Sequence, residues 1–144
     1  MLLLAPTIAV KTPVKDPMPS SNEMIIAAGS AIVQDAEYRS DPSWETIAIV
    51  YNFLNGRQNS YGYIFRADGS WKASLPQDED DVILDTMLDL QAAMERETGK
   101  KWMRALVHIT RVDQGMNILF EYDDPQKWAI DPGDLEKSVA ALKP

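Results

Sequence analysis

One long stretch with helical periodicity, between residues 77 and 100, separates two groups of alternating segments. Apolar residues recur in it at Ile83, Met87, Leu90 and Met94, which share one face of a helix. Gly99 is placed to end the helix, because glycine readily adopts the left-handed conformation found there. The segments on either side of this helix are predicted to be strands.

The flanking segments alternate in the way expected of strands. Ile47, Ile49, Tyr51 and Phe53 fall on one face of the first, and "YGYIF" at residues 61–65 and "WKASL" at residues 71–75 follow after short polar turns. Three strands so connected predict an antiparallel meander. After the helix, "KWMRALVHITRV" and "MNILFEY" predict two more strands around the turn "DQG".

Helices are also predicted near both ends. Ser20 and Glu23 have the spacing of a capping box, and a last helix is expected to open at Asp131–Pro132. The order α-βββ-α-ββ-α predicts an α+β fold: a single antiparallel sheet of about five strands with helices packed on one face. We expect these residues between the long helix and the sheet: Met87, Leu90, Val107, Ile109, Ile118 and Phe120. The last helix is expected to turn Leu135, Val139 and Leu142 inward.

The first 19 residues differ from the rest, since they carry four of the nine prolines. We interpret residues 1–19 as a proline-rich tail or arm and residues 20–144 as a single domain. The apolar start "MLLLAPTIAV" lacks a basic region before it and is interrupted by Pro6, which argues against a secretory signal. With no apolar run near the ~20 residues of a membrane span and no cysteine, we expect a cytoplasmic protein without membrane contacts.

The formal net charge is −8 and the sequence pI is about 4.5. An acidic surface repels phosphates, so the charge argues against direct binding of nucleic acid. It suits a basic protein partner, because complementary potentials steer two proteins together.

The chain offers little catalytic chemistry. Its single histidine, His108, sits in a strand and shares a predicted face with Trp102, Arg104, Leu106 and Thr110, as expected of a half-exposed structural residue. No nucleophile elbow, dinucleotide fingerprint or phosphate-binding loop occurs. We therefore expect no catalytic residues, no cofactor and no enzymatic activity.

Two acidic clusters are the most distinctive polar features. Asp78, Glu79, Asp80 and Asp81 crowd the start of the long helix, where the helix dipole favours anions. Asp123 and Asp124 end a strand, and adjacent residues of a strand point to opposite faces, so adjacency alone does not make them a catalytic dyad. Asp124 before Pro125 is typical of a turn. Oxygen-rich clusters suit calcium or magnesium, but the EF-hand spacing is missing, so no metal site is predicted.

Several of these features occur together in a known family. The tryptophan-led segments "SWETIAIVY" and "GKKWMRALVHITRVDQGMNILFEYDD" resemble the YezG-type immunity proteins of bacterial polymorphic toxin systems, over roughly residues 22–130. Trp102, Gly115 and the run "FEYDD" carry the resemblance. It implies a small α+β protein that neutralises a cognate toxin, often a nuclease, and it implies no catalytic residues. The proline-rich start departs from the family pattern.

The leading hypothesis is therefore a non-catalytic binding protein whose partner is a cognate protein toxin. Its predicted partner-binding residues are Asp78, Glu79, Asp80, Asp81, Asp123, Asp124 and Trp128. The stretch "FEYDDPQKW" is expected to end a core strand and to present its carboxylates and Trp128 at the rim of a binding surface. Two alternatives stay open: an interaction or structural protein, for example a homodimer through an exposed sheet edge, and an enzyme that uses the acidic clusters with a divalent metal.

Overall fold

The computed structural model describes residues 20–113 and 115–144, so the predicted tail at residues 1–19 lies outside the described residues. The elements are α1 (Ser21–Gln34), α2 (Ala36–Arg39), β1 (Trp44–Leu54), β2 (Arg57–Arg66), β3 (Trp71–Ala73), α3 (Asp80–Thr98), β4 (Arg104–Thr110), β5 (Met116–Glu121) and α4 (Leu135–Ala140). The predicted α+β order is confirmed. The four-residue α2 was not predicted, because one helical turn leaves no periodic signal.

All the strand pairs are antiparallel, and the five strands lie in the order β3-β2-β1-β4-β5. Ile49 in the central strand pairs with Gly62 of β2 on one side and with Val107 of β4 on the other. Alternation along β1 gives the sheet two faces. We call the face that carries Ile49 the first face and the face that carries Ala48 the second face.

The first face packs against the antiparallel pair of helices α1 and α3, as predicted. Four of the predicted core residues are buried there: Met87, Leu90, Val107 and Ile109. Ile118 and Phe120 are instead half-buried, because β5 is an edge strand with a neighbour on one side only. Apolar burial of this kind contributes about 25 cal/mol per Å², which makes this layer the main source of stability.

The predicted ends of the two long helices are also confirmed. Ser20 and Glu23 form the predicted capping box, and Gly99 closes α3 at φ 79°. Gly29 lies inside α1 where the helix passes directly over β5. A Cβ built on Gly29 would clash with the sulfur of Met116, so glycine allows this close approach.

The second face is covered by the C-terminal segment, which places α4 opposite α1 and α3. Val139 and Leu142 are buried against Ala48, Val50 and other second-face residues. The predicted inward position of Leu135 is wrong, since Leu135 is 40% exposed. A 3-10 turn over Pro132–Asp134 precedes α4, so that the helix begins at Leu135 and turns only its later residues towards the sheet. Among the described residues, no helix has the length and apolar character needed to cross a membrane.

Candidate functional site

The acidic cluster at the start of α3 follows β3 along the chain and lies next to Asp35, at the end of α1. Asp78 and Asp81 are exposed, whereas Glu79 and Asp80 are half-buried. The N-cap residue Glu79 makes no side-chain capping bond. The four carboxylates therefore do not cap their own helix, and the capping group comes from another part of the chain.

That capping group is the buried carboxylate of Asp35, at the end of α1. One carboxylate oxygen accepts the backbone N–H groups of Glu37 and Gln77, at 2.9 and 2.8 Å. The other accepts those of Asp78 and Glu79, at 2.9 and 2.8 Å. Burial alone raises the pKa of Asp35, but the four N–H donors outweigh it and hold the pKa below its usual value. The segment "QDAE" predicts that Asp35 caps α2. No nearby sequence pattern predicts the hydrogen bonds that Asp35 makes to the segment leading into α3.

Asp80 differs from its exposed neighbours. Its Oδ1 is buried without a hydrogen-bond partner, and so is the hydroxyl of Tyr51 on the first face of the sheet. Burial, and then the carboxylates of Asp81 and Asp35, raise the pKa of Asp80. Asp80 is thus less able to meet a partner than Asp78 or Asp81.

Asp123 and Asp124 lie in the turn that follows edge strand β5. Both are exposed. Asp124 accepts the N–H of Gln126 at 2.9 Å, which is the Asx turn that the sequence predicts at Asp124–Pro125. The Glu121 carboxylate accepts the N–H groups of Asp123 and Asp124 at 3.1 and 3.0 Å. The bonds from Asp123 and Asp124 hold the pKa of Glu121 below its usual value.

Trp128 lies beyond this turn and packs on the second face. It is half-buried there, against the apolar cluster of Val139 and Leu142. Its backbone has φ 62°, which is unusual for a bulky residue, and its carbonyl accepts the Tyr61 hydroxyl at 2.7 Å. Trp128 therefore helps to attach the C-terminal segment to the sheet.

The two acidic clusters lie on different elements. Asp78 and Asp81 belong to the start of α3, next to Asp35 at the end of α1. Asp123 and Asp124 follow edge strand β5.

The first face of β5 is apolar and partly open. Met116, Ile118 and Phe120 are half-buried on the first face of β5. Next to Met116, a groove of about 650 Å³ lies between α1 and the sheet. Its apolar lining includes Ile26, Val33, Trp44 and Ile109. Ile26 of α1 is 70% exposed, so this groove is open to solvent on its helix side.

His108 is a buried structural residue. It is 5% exposed, and its Nε2–H donates to the Leu142 carbonyl at 2.5 Å. The predicted half-exposed position is therefore wrong, because the C-terminal segment covers the second face. Trp102 was predicted on the face of His108, but it packs in the first-face core with Phe53 and Phe120.

No group of three or more acidic or histidine side chains is arranged to hold a metal ion within residues 20–113 and 115–144.

Comparison with known proteins assigns the chain neither a family nor a function. No protein-family model matches the chain, and no curated protein matches it significantly.

Proposed function

We propose that the protein is a non-catalytic binding protein that holds a basic protein partner at the β5 end of its sheet. One observation carries this proposal. Asp123 and Asp124 are exposed at the end of an edge strand, and in the described part of the chain the only ion pair joins Lys72 to Asp41. The two carboxylates are thus free to meet an external cation.

The neighbouring surface suits the same purpose. Protein interfaces combine an apolar centre with a charged rim, and rim charges mainly set the rate and specificity of association. Here half-buried Met116, Ile118 and Phe120 supply the apolar part, and Asp123 and Asp124 stand at its border. The net charge of −8 favours a partner of opposite sign.

The resemblance to YezG-type immunity proteins suggests the class of partner. A toxin nuclease has to grip phosphates and is usually basic, so an acidic inhibitor matches it in charge. We propose that the partner is a cognate toxin that acts in the cytoplasm and that this chain acts there as its immunity protein. The proposal assigns binding to Asp123 and Asp124, and it treats Asp78 and Asp81 as a separate cluster that is tested in parallel.

The test is capture of the partner by the immobilised full chain from a bacterial extract that expresses candidate toxin domains. Wild type should recover a basic toxin domain, and Asp123→Asn with Asp124→Asn should recover far less at low salt. Asp78→Asn with Asp81→Asn is the matched control, because it removes the same charge from the separate acidic cluster at the start of α3. Coexpression should also restore growth to cells that make the captured domain.

Equal recovery by wild type and by the Asp123/Asp124 double variant across a salt series would refute the proposed role of these carboxylates. Recovery without restored growth would leave a binding protein and reject the immunity function.

A further inference from the structure

Edge strand β5 presents unpaired backbone groups in a regular pattern. The N–H of Thr110 donates to the carbonyl of Gly115 at 3.0 Å, and Met103 donates to the carbonyl of Glu121 at 2.9 Å. In an antiparallel ladder the direction of these groups alternates, so odd-numbered residues of β5 face β4. The N–H and C=O groups of Met116, Ile118 and Phe120 therefore point outwards.

The same three residues carry the apolar side chains of the first face. Backbone groups that can pair and side chains that can be buried thus coincide along β5. A strand laid beside β5 would place its own first-face side chains next to Met116, where the apolar groove under α1 opens. Such a strand would complete both the ladder and the core at this edge.

The other edge of the sheet is protected against the same event. β3 has three residues, and its pairing through Ser74 to Gly62 leaves the backbone groups of Trp71 and Ala73 facing outwards. The exposed charge of Lys72 and the nearby Pro76 discourage pairing there. The contrast makes β5 the edge at which a strand can add.

We propose that an extended segment of a basic partner adds to β5 as a sixth, antiparallel strand. This inference rests on the proposed function, and it specifies how the partner binds. Strand addition draws its affinity from main-chain hydrogen bonds and its specificity from alternate side chains. An antiparallel strand continues the pattern of every pair in this sheet.

Charge determines the orientation and composition of the added segment. Glu121, Asp123 and Asp124 surround the C-terminal end of β5, while Arg39 and Arg111 line the groove at its N-terminal end. The N-terminus of an antiparallel segment lies beside the C-terminus of β5. The segment should therefore begin with lysine or arginine and continue with apolar residues at every second position.

A second copy of the chain is the competing occupant of β5. In the antiparallel register that places Ile118 opposite Ile118, the acidic end of each copy, with Asp123, lies towards the turn that carries Asp113 in the other. These exposed carboxylates repel each other, whereas Arg39 and Arg111 near the same end attract the acidic end. A segment that begins with lysine or arginine instead meets opposite charge at the acidic end, and the oligomeric state of the free chain is measured as one outcome of the test.

The probe is the peptide acetyl-Lys-Lys-Val-Thr-Val-Thr-Val-amide, titrated into the full chain at low salt. Binding should slow hydrogen exchange at the amides of Met116, Ile118 and Phe120. A twin peptide with glutamates in place of both lysines should bind at least about tenfold more weakly.

N-methylated peptides test the backbone pairing. In the expected register the valines lie on the first face and direct their N–H groups to β5. N-methylation of the valines should therefore abolish binding, and N-methylation of the threonines should preserve it.

Variants of the chain test the same geometry. Ile118→Pro removes an outward N–H without removing a bond to β4, so it should fold and lose the peptide. Ile118→Ala is the matched control, because it removes the side chain but keeps the N–H and should retain binding. The N-methylated peptides keep the test valid if Ile118→Pro fails to fold.

Unchanged exchange at the three β5 amides with several millimolar peptide would overturn the strand-addition proposal, and so would equal binding of the two N-methylated forms. A dimer of the free chain that Ile118→Pro abolishes would assign the edge to a second copy and also overturn it. The Asp123→Asn/Asp124→Asn variant separates the two proposals. If the lysine peptide slows exchange at the β5 amides as much in this variant as in wild type, strand addition is supported and the proposed role of Asp123 and Asp124 is rejected.

Discussion

The carboxylate of Asp35 accepts the backbone N–H of Glu79 at 2.8 Å, and this bond joins the end of α1 to the start of α3. Asp35 is 1% exposed and accepts three other backbone N–H groups as well. A buried charge is tolerated when such donors surround it, so Asp35 joins the end of α1 to the segment that leads into α3.

The first prediction concerns removal of that charge. Asparagine accepts through one oxygen, so Asp35→Asn leaves two of the four N–H groups without an acceptor. Each buried unsatisfied group costs ~1–3 kcal/mol, and we expect a total loss of about 2–5 kcal/mol in urea denaturation. Asp85→Asn, an exposed change on α3, should move stability by no more than ~0.5 kcal/mol. Equal effects of the two changes would contradict this role for Asp35.

The second prediction follows from the lowered pKa of Asp35. The unfolded carboxyl has a pKa of about 3.9, and the folded one lies below it. The carboxylate therefore stabilises the fold above the unfolded pKa, and this contribution is lost as the pH falls through the folded pKa. Between pH 6 and pH 3, wild type should lose more stability than Asp35→Asn. Parallel pH profiles of the two proteins would show that Asp35 does not contribute in this way.

The third prediction concerns the attachment of the C-terminal segment by His108. His108→Ala removes a buried hydrogen bond to Leu142 and leaves a cavity, which should cost about 2–4 kcal/mol. Amides of α4 should also exchange faster with solvent. Leu135→Ala, at an exposed position of α4, serves as the control. Native exchange protection of α4 in His108→Ala would show that apolar packing alone holds the segment.

The fourth prediction compares two core residues with different burial. Leu90 is fully buried, and Leu90→Ala should cost ~2–5 kcal/mol. Phe120 is half-buried on edge strand β5, so Phe120→Ala should cost less than the ~3–5 kcal/mol of a fully buried phenylalanine, about 1–3 kcal/mol. Urea denaturation of both variants tests this order. A larger loss for Phe120→Ala would mean that β5 carries more of the core than its edge position indicates.

The fifth prediction concerns Asp123 and Asp124 in partner binding. Asp123→Asn with Asp124→Asn should slow association with the basic partner, most strongly at low salt, because salt screens charges over about 10 Å at 0.1 M. Stopped-flow measurements across a salt series give the rates. Asp124 also holds an Asx turn with Gln126, so the unfolding free energy of the variant should be measured as the control. A dissociation rate that rises while association is unchanged would place the carboxylates at the interface centre.

The sequence by itself determined the five strands, the helices α1, α3 and α4, and their order, whereas the one-turn helix α2 left no periodic signal. Periodicity changes from two to 3.6 residues and back on either side of α3, and such local patterns need no knowledge of the fold. Ser20 with Glu23, and Gly99, mark helix ends because capping depends on neighbouring residues. The exposure of Asp123 and Asp124 and the turn at Asp124 follow from equally local chemistry.

Tertiary structure alone decided which surfaces are open. His108 is buried because a segment more than 30 residues away in the sequence covers the second face, and Asp35 caps a helix that begins 45 residues later. Phe120 is half-buried because β5 is the edge strand and has a neighbour on one side only. Each of these outcomes depends on contacts between distant parts of the chain, which spacing and composition do not encode. The candidate binding edge exists for the same reason, since an unpaired strand is a property of sheet order.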